Sequence, residues 1–114
     1  MALASTGQAS AEQDEMAFKA WIETVDDGDQ IELKSMALDP TGGEVSYSLT
    51  VERISPAGTS RTSQGGSVYA DAGEATILSR SRVNGVGEGT LRATLEVTRA
   101  DGQTQLETLE IKGP

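Results

Sequence analysis

A run in which every second residue is apolar can bury one side only as an extended strand, and this chain is a succession of such runs. The clearest spans Val45, Tyr47, Leu49 and Val51, alternating with Ser46, Ser48, Thr50 and Glu52. Before it, Ile31, Leu33, Ser35 and Ala37 alternate with Glu32, Lys34 and Met36, and earlier still Phe18, Ala20 and Ile22 alternate with Lys19, Trp21 and Glu23. Further strands are predicted over residues 76–83, over 90–99 with Leu91, Ala93, Leu95 and Val97 inward, and over 105–112. Between the runs stand turn signals: residues 24–29 around Gly28, Asp39-Pro40-Thr41-Gly42-Gly43, Ser55-Pro56-Ala57-Gly58 and Ala100-Asp101-Gly102.

Two places break the pattern. Arg53 and Ile54 interrupt the alternation of the third run, as a bulge or a strand end would. Residues 60–64 then read as a short strand, whose lack of apolar residues suits a sheet edge, and Gln64-Gly65-Gly66-Ser67 reads as a turn. Seven short strands at this spacing predict an all-β fold, a seven-stranded, antiparallel, immunoglobulin-like β-sandwich. Proline and glycine leave no room for a helix longer than a turn.

The chain has 114 residues, enough for one domain, and 36% of them are hydrophobic, too many for a disordered chain. With one Trp, two Tyr and one Phe, the core must rest on aliphatic side chains. Residues 1–15 are small and polar without an apolar period, which predicts a flexible N-terminal tail and a sandwich domain over 16–114. Ala2-Leu3-Ala4 has the small-x-small form of a signal-peptidase site with no apolar region before it, as a mature exported chain bearing an added Met would. No apolar stretch approaches the length of a membrane-spanning helix.

Composition excludes several chemistries. There is no His and no Cys, which removes disulfides, thiolate nucleophiles, histidine bases and imidazole or thiolate metal sites. A net charge of −9 argues against nucleic acid as a partner, since phosphate-backbone binding needs a basic surface. The serines lack a histidine or a Ser-x-x-Lys pattern to activate them, and no insertion is long enough to form a cleft, so no enzyme activity is expected. Asp26-Asp27-Gly28-Asp29 has a calcium-like composition but neither the spacing nor the terminal Glu of an EF-hand, and reads as a hairpin turn. Gly85-Val86-Gly87-Glu88-Gly89 shares only its glycines with a phosphate cradle and reads as a flexible loop. No cofactor and no metal is expected.

The charge is unevenly spread: all six arginines, Arg53, Arg61, Arg80, Arg82, Arg92 and Arg99, lie between residues 50 and 100. Arg80 and Arg82, two apart on a strand, share a face and form a cationic pair that Arg92 on the following strand would extend. The alternative is that each arginine meets a cross-strand acid such as Glu74, Glu88 or Glu96.

A resemblance adds to this reading. Ala20-Trp21-Ile22-Glu23, the run from Gly28 through Gln30 to Leu33, the stretch from Gly43 through Tyr47 to Arg53, and Gly58-Thr59-Ser60-Arg61-Thr62-Ser63-Gln64-Gly65-Gly66 resemble the curli-assembly chaperones of the CsgH type, whose enteric counterpart is CsgC. The resemblance covers about residues 18–112 and rests on soft motifs. It implies a small periplasmic sandwich, its signal peptide removed, which binds the unfolded or early oligomeric major curli subunit weakly and inhibits its amyloid nucleation before export. It also implies a monomer that works without ATP or metal. The enteric relatives carry a Cys-x-Cys pair that is lacking here, so no thiol role carries over. The client-binding positions implied are Arg61, Arg80 and Arg82, with Arg92 and Arg53 further candidates. The polar fourth strand would make main-chain contacts to the client. The rival reading is an immunoglobulin-like adhesive or structural module of a secreted or fibre protein, and a small carbohydrate- or calcium-binding enzyme accessory domain, suggested by Asp26-Asp27-Gly28-Asp29, is a third.

Overall fold

In the computed structural model, which describes residues 17–26, 28–84 and 89–113, seven strands form two antiparallel sheets. They are β1 (Lys19–Asp26), β2 (Gln30–Leu38), β3 (Gly43–Ser55), β4 (Gly58–Ala70), β5 (Ala75–Asn84), β6 (Thr90–Arg99) and β7 (Thr104–Lys112). The three-stranded sheet has the order β1-β2-β5 and the four-stranded sheet the order β4-β3-β6-β7. The all-β sandwich expected from the period-two runs is therefore the fold, and no helix is formed among the described residues. The predicted tail, Asp27 and the glycine loop at 85–88 lie outside the described residues.

The core forms where the alternating runs said it would. Leu33, Val45, Leu49, Leu95 and Val97 are fully buried, joined by Phe18, Ile31, Ala37, Val51, Leu78, Leu91 and Ala93. The two turns nearest to prediction are both tight hairpins. Pro56 and Ala57 connect β3 to β4, where Ser55 Oγ accepts from Ala57 N at 3.2 Å and Gly58 takes φ +136°. At the β6–β7 end, Gly102 N donates to Arg99 O at 3.0 Å and Gly102 takes φ +93°, a conformation that favours glycine.

Two local expectations are corrected. Arg53 and Ile54 do not end or bulge β3, because the ladder continues on both sides, Arg53 opposite Ser60 and Leu91, Ile54 opposite Thr59 and Thr90. Nor is Gln64-Gly65-Gly66-Ser67 a turn: it lies inside β4, which is thirteen residues long rather than five. Gly65 sits so close under β3 that a Cβ there would stand 2.7 Å from Tyr47 O, while Gly66 lies beside the Tyr47 ring. Here glycine serves close approach instead of chain reversal. Gly65→Ala is expected to cost about 1–3 kcal/mol in urea denaturation, as overpacking does, whereas Gly66→Ala, whose Cβ would meet the ring at an ordinary 3.5 Å, should be tolerated. Equal stability of the two variants would refute this account.

β5 carries a β-bulge that the sequence reading did not anticipate. Ser35 pairs with Ser79 but Met36 pairs with Ile77, so Leu78 is an extra residue. The bulge changes the phase of the strand: Thr76 and Leu78 point inward above it, and Ser79, Ser81 and Val83 below it. Arg80 and Arg82 are thereby placed on the outer face.

The two long sides of the sandwich differ. On one, β1 packs against β6 and β7, with Ala20, Ile22, Leu109 and Ile111 against the core. On the other, β4 and β5 face each other with Ser60, Thr62 and Gln64 opposite Ser81 and Val83. Sheets pack about 10 Å apart, and such short or polar side chains cannot fill that gap. This side stays open as a seam.

One end is closed by a buried ion pair. Asp39 is 2% exposed; its Oδ1 accepts from Thr41 N and Thr41 Oγ1, each at 3.0 Å, and its Oδ2 lies 3.2 Å from Arg99 Nε. Arg99 also donates to Thr41 Oγ1 at 2.9 Å and to Gln103 Oε1 at 3.0 Å, and its guanidinium lies 5.6 Å from the Phe18 ring centroid. Pairing with the half-buried Arg99 guanidinium and hydrogen bonding make the burial of the Asp39 carboxylate tolerable.

Candidate binding surface

The five arginines singled out from the sequence do not converge on one face. Arg61 and Arg92 project from the outer face of the four-stranded sheet, Arg80 and Arg82 from the outer face of the three-stranded sheet, and Arg53 lies on the inward side of β3. The expectation that Arg92 extends the Arg80–Arg82 pair fails because β6 is not a neighbour of β5: it belongs to the other sheet. Strands adjacent in sequence are here separated in space.

Across the four-stranded sheet, register aligns Arg61, Glu52, Arg92 and Glu110 in one row. Arg92 donates to Glu110 Oε2 at 2.9 Å and lies 3.7 Å from Glu52 Oε1. The hydrogen bond from Arg92 holds the Glu110 carboxyl below its ordinary range. Two further rows are almost entirely hydroxyl: Ser63, Thr50, Thr94 and Thr108, and then Ser67, Ser46, Thr98 and Thr104. Adjacent members bond directly, Thr50 to Ser63 at 3.2 Å and Thr98 to Thr104 at 3.1 Å.

On the three-stranded sheet Arg80 lies opposite Lys34 and Arg82 opposite Glu32. Lys34 reaches Glu23 at 3.8 Å. Among the described residues, no acid lies within ion-pair distance of Arg61, Arg80 or Arg82. The alternative in which arginines meet Glu74 or Glu96 is not what is found. The paired arginines are Arg92, with Glu110 and Glu52, and Arg99, with Asp39 and Asp101. Glu88 lies outside the described residues. Arg53 donates to the Asn84 carbonyl, tying β3 to the end of β5.

Sequence reasoning missed the seam itself. Two adjoining grooves run along it, of about 350 Å³ and about 360 Å³. Val51, Thr62, Arg82 and Val83 line both, so Arg82 overlooks the open side as well as the outer face. Gln64 Nε2 donates to Ser81 Oγ across it. The signal available in the sequence was the run of polar and small residues at the inward positions of the fourth strand, Ser60, Thr62, Gln64 and Gly66, matched by Ser79 and Ser81 on the fifth. Asp26, from the acidic cluster at 26–29, accepts from Gly28 N at 3.0 Å in the β1–β2 turn, where Gly28 takes φ +86°. The turn itself explains that residue.

Comparison with known proteins agrees with the geometry. Residues 19–109 match the family model described as CsgH protein. The solution structure of CsgH from R. palustris superposes with a TM-score of 0.68 at 24% identity, covering 82% of this chain and 91% of that one. The curli protein CsgC from E. coli superposes with a TM-score of 0.66 at 16% identity, covering 82% of this chain and 97% of that one. No curated protein sequence matches the chain. With the family model covering most of its length and every described strand up to the last turns of β7, the chain belongs to the CsgH family.

Proposed function

We propose that this chain is a periplasmic chaperone that delays amyloid nucleation of the major curli subunit by weak, transient binding before export. The observation that carries the reading is membership of the CsgH family together with three arginines, Arg61, Arg80 and Arg82, that no described acid neutralises. The likeness to a protein named for curli supports the pathway and an extracytoplasmic location. The chain acts as a monomer and without catalysis, cofactor or metal.

The mechanism follows from exposed charge on an acidic body. An unpaired guanidinium attracts carboxylates and carbonyls of an unfolded chain over about a Debye length, raising the encounter rate while adding little to affinity. Transient cover of exposed strand edges on the client prevents templating. Interception of a rare nucleating species requires far less chaperone than client.

The test is a thioflavin time course of the purified curli subunit, with this protein present well below equimolar. A long extension of the lag is expected, shrinking as salt rises to 1 M, where the Debye length is about 3 Å. Arg80→Glu with Arg82→Glu should reduce the encounter rate by about tenfold or more and shorten the delay accordingly. Arg92→Ala, which removes an already neutralised charge, should change it little. An absence of delay even at equal ratio would refute the chaperone reading and favour the adhesive module.

A further inference from the structure

The seam between β4 and β5 has three properties of a strand acceptor. First, both strands are edges, and β4 is exposed on both faces from Gly58 to Ser67. Its outer side therefore presents backbone donors and acceptors over a long, proline-free stretch whose one charge is Arg61. Second, the grooves between the strands have an apolar floor, Val51 and Val83, where the core meets solvent. Third, the rim is cationic, with Arg82 on one side and Arg53 at the end. The side chains that would have closed the gap are absent: serine, threonine and glycine stand where the β1 side carries Ile22, Leu109 and Ile111.

We propose that this seam receives an extended segment of the unfolded client, which adds to β4 as a strand, seats an apolar side chain over Val51 and Val83, and places a carboxylate on Arg82. The proposal rests on the chaperone reading and names the surface that performs it. Charge complementarity selects the occupant: an acidic, unfolded segment satisfies the cationic rim and the free backbone edge together. The hydrogen bond from Gln64 to Ser81 is the clasp that such a strand displaces. Main-chain pairing supplies affinity while one shallow apolar site keeps the complex short-lived.

Thr62→Lys tests the surface without removing positive charge. An inward-pointing lysine on an edge strand opposes strand addition. If instead attraction by exposed arginines were sufficient, the extra charge would preserve or lengthen the delay of fibrillation. The expected result is a loss of at least half the delay at low salt, with an unchanged melting temperature. In a second arm, Gln64→Cys with Ser81→Cys is joined by a short bifunctional thiol reagent, which is specific because the chain has no other cysteine. The same protein is compared before and after linkage, so any effect of the substitutions cancels. Loss of delay on linkage supports the seam; equal delay before and after overturns it while leaving the chaperone reading intact. A wild-type protein that gives no delay overturns that reading, and the seam proposal with it. A concentration-dependent dimer in sedimentation that Thr62→Lys dissolves would overturn it differently, by assigning β4 to a second copy of this chain.

Discussion

Asp39→Ala is expected to lower the unfolding free energy by about 3–5 kcal/mol, the cost of leaving one member of a buried ion pair without its partner. Asp39 is 2% exposed and holds both Arg99 and Thr41, so its removal takes the nearest carboxylate from the guanidinium and leaves the Thr41 amide without its acceptor. Arg99 cannot escape to water easily, because its inward position on β6 holds it near the Phe18 ring. Urea denaturation of the variant measures the loss. A change below about 1 kcal/mol would mean that Asp101, 3.8 Å from Arg99 Nη1, takes over as counter-ion. The paired change Asp39→Ala with Arg99→Met should recover part of the loss, since no orphan charge then remains in the interior.

Leu95→Ala is the second large effect, at about 2–5 kcal/mol. Leu95 is fully buried on the central strand β6, opposite Leu49 on β3, and both side chains face the other sheet. Strands on either side, β3 and β7, hold β6 in place, so the cavity cannot collapse cheaply. The contrast is Leu106→Ala on β7, where the side chain is 63% exposed and the change should stay within about 0.5 kcal/mol. Similar losses for the two leucines would refute the assignment of inner and outer faces.

Much of the sandwich was legible in the sequence because burial of one sheet face writes a period of two. β2, β3 and β6 carry that period, and their limits fell within a few residues of the alternation, whereas in β7 only Leu109 and Ile111 keep it and Leu106 stands on the outer face. β4 was legible only as an edge. Its inward positions, Ser60, Thr62, Gln64 and Gly66, face an open seam, so no burial pattern marks its length, and Gly65-Gly66 carries the same letters as a turn. The bulge at Leu78 did leave a trace, since the apolar phase shifts between Leu78 and Val83, but a phase shift alone does not say which residue is extra.

The candidate site divides along the same line. That Arg80 and Arg82 share a face follows from their spacing. Which arginines are neutralised does not, because it depends on the register between strands distant in sequence. Arg92 meets Glu110 eighteen residues on and Glu52 forty residues back, and neither contact is written locally. The seam was harder still, being defined by what two edge strands lack.

The bulge in β5 gives that strand something like a reading frame. Substitutions at Arg80 or Arg82 alter two side chains and leave the rest in place, but insertion of one residue between Leu78 and Ser79, taking the place opposite Ser35, would slip the frame by a single step. Both guanidiniums would then be turned toward the interior, and Ser79 and Ser81 toward solvent. The strand thus tolerates a change of letters better than an added residue, whereas loss of the extra residue at Leu78 would only restore the regular ladder and leave Arg80 and Arg82 outside.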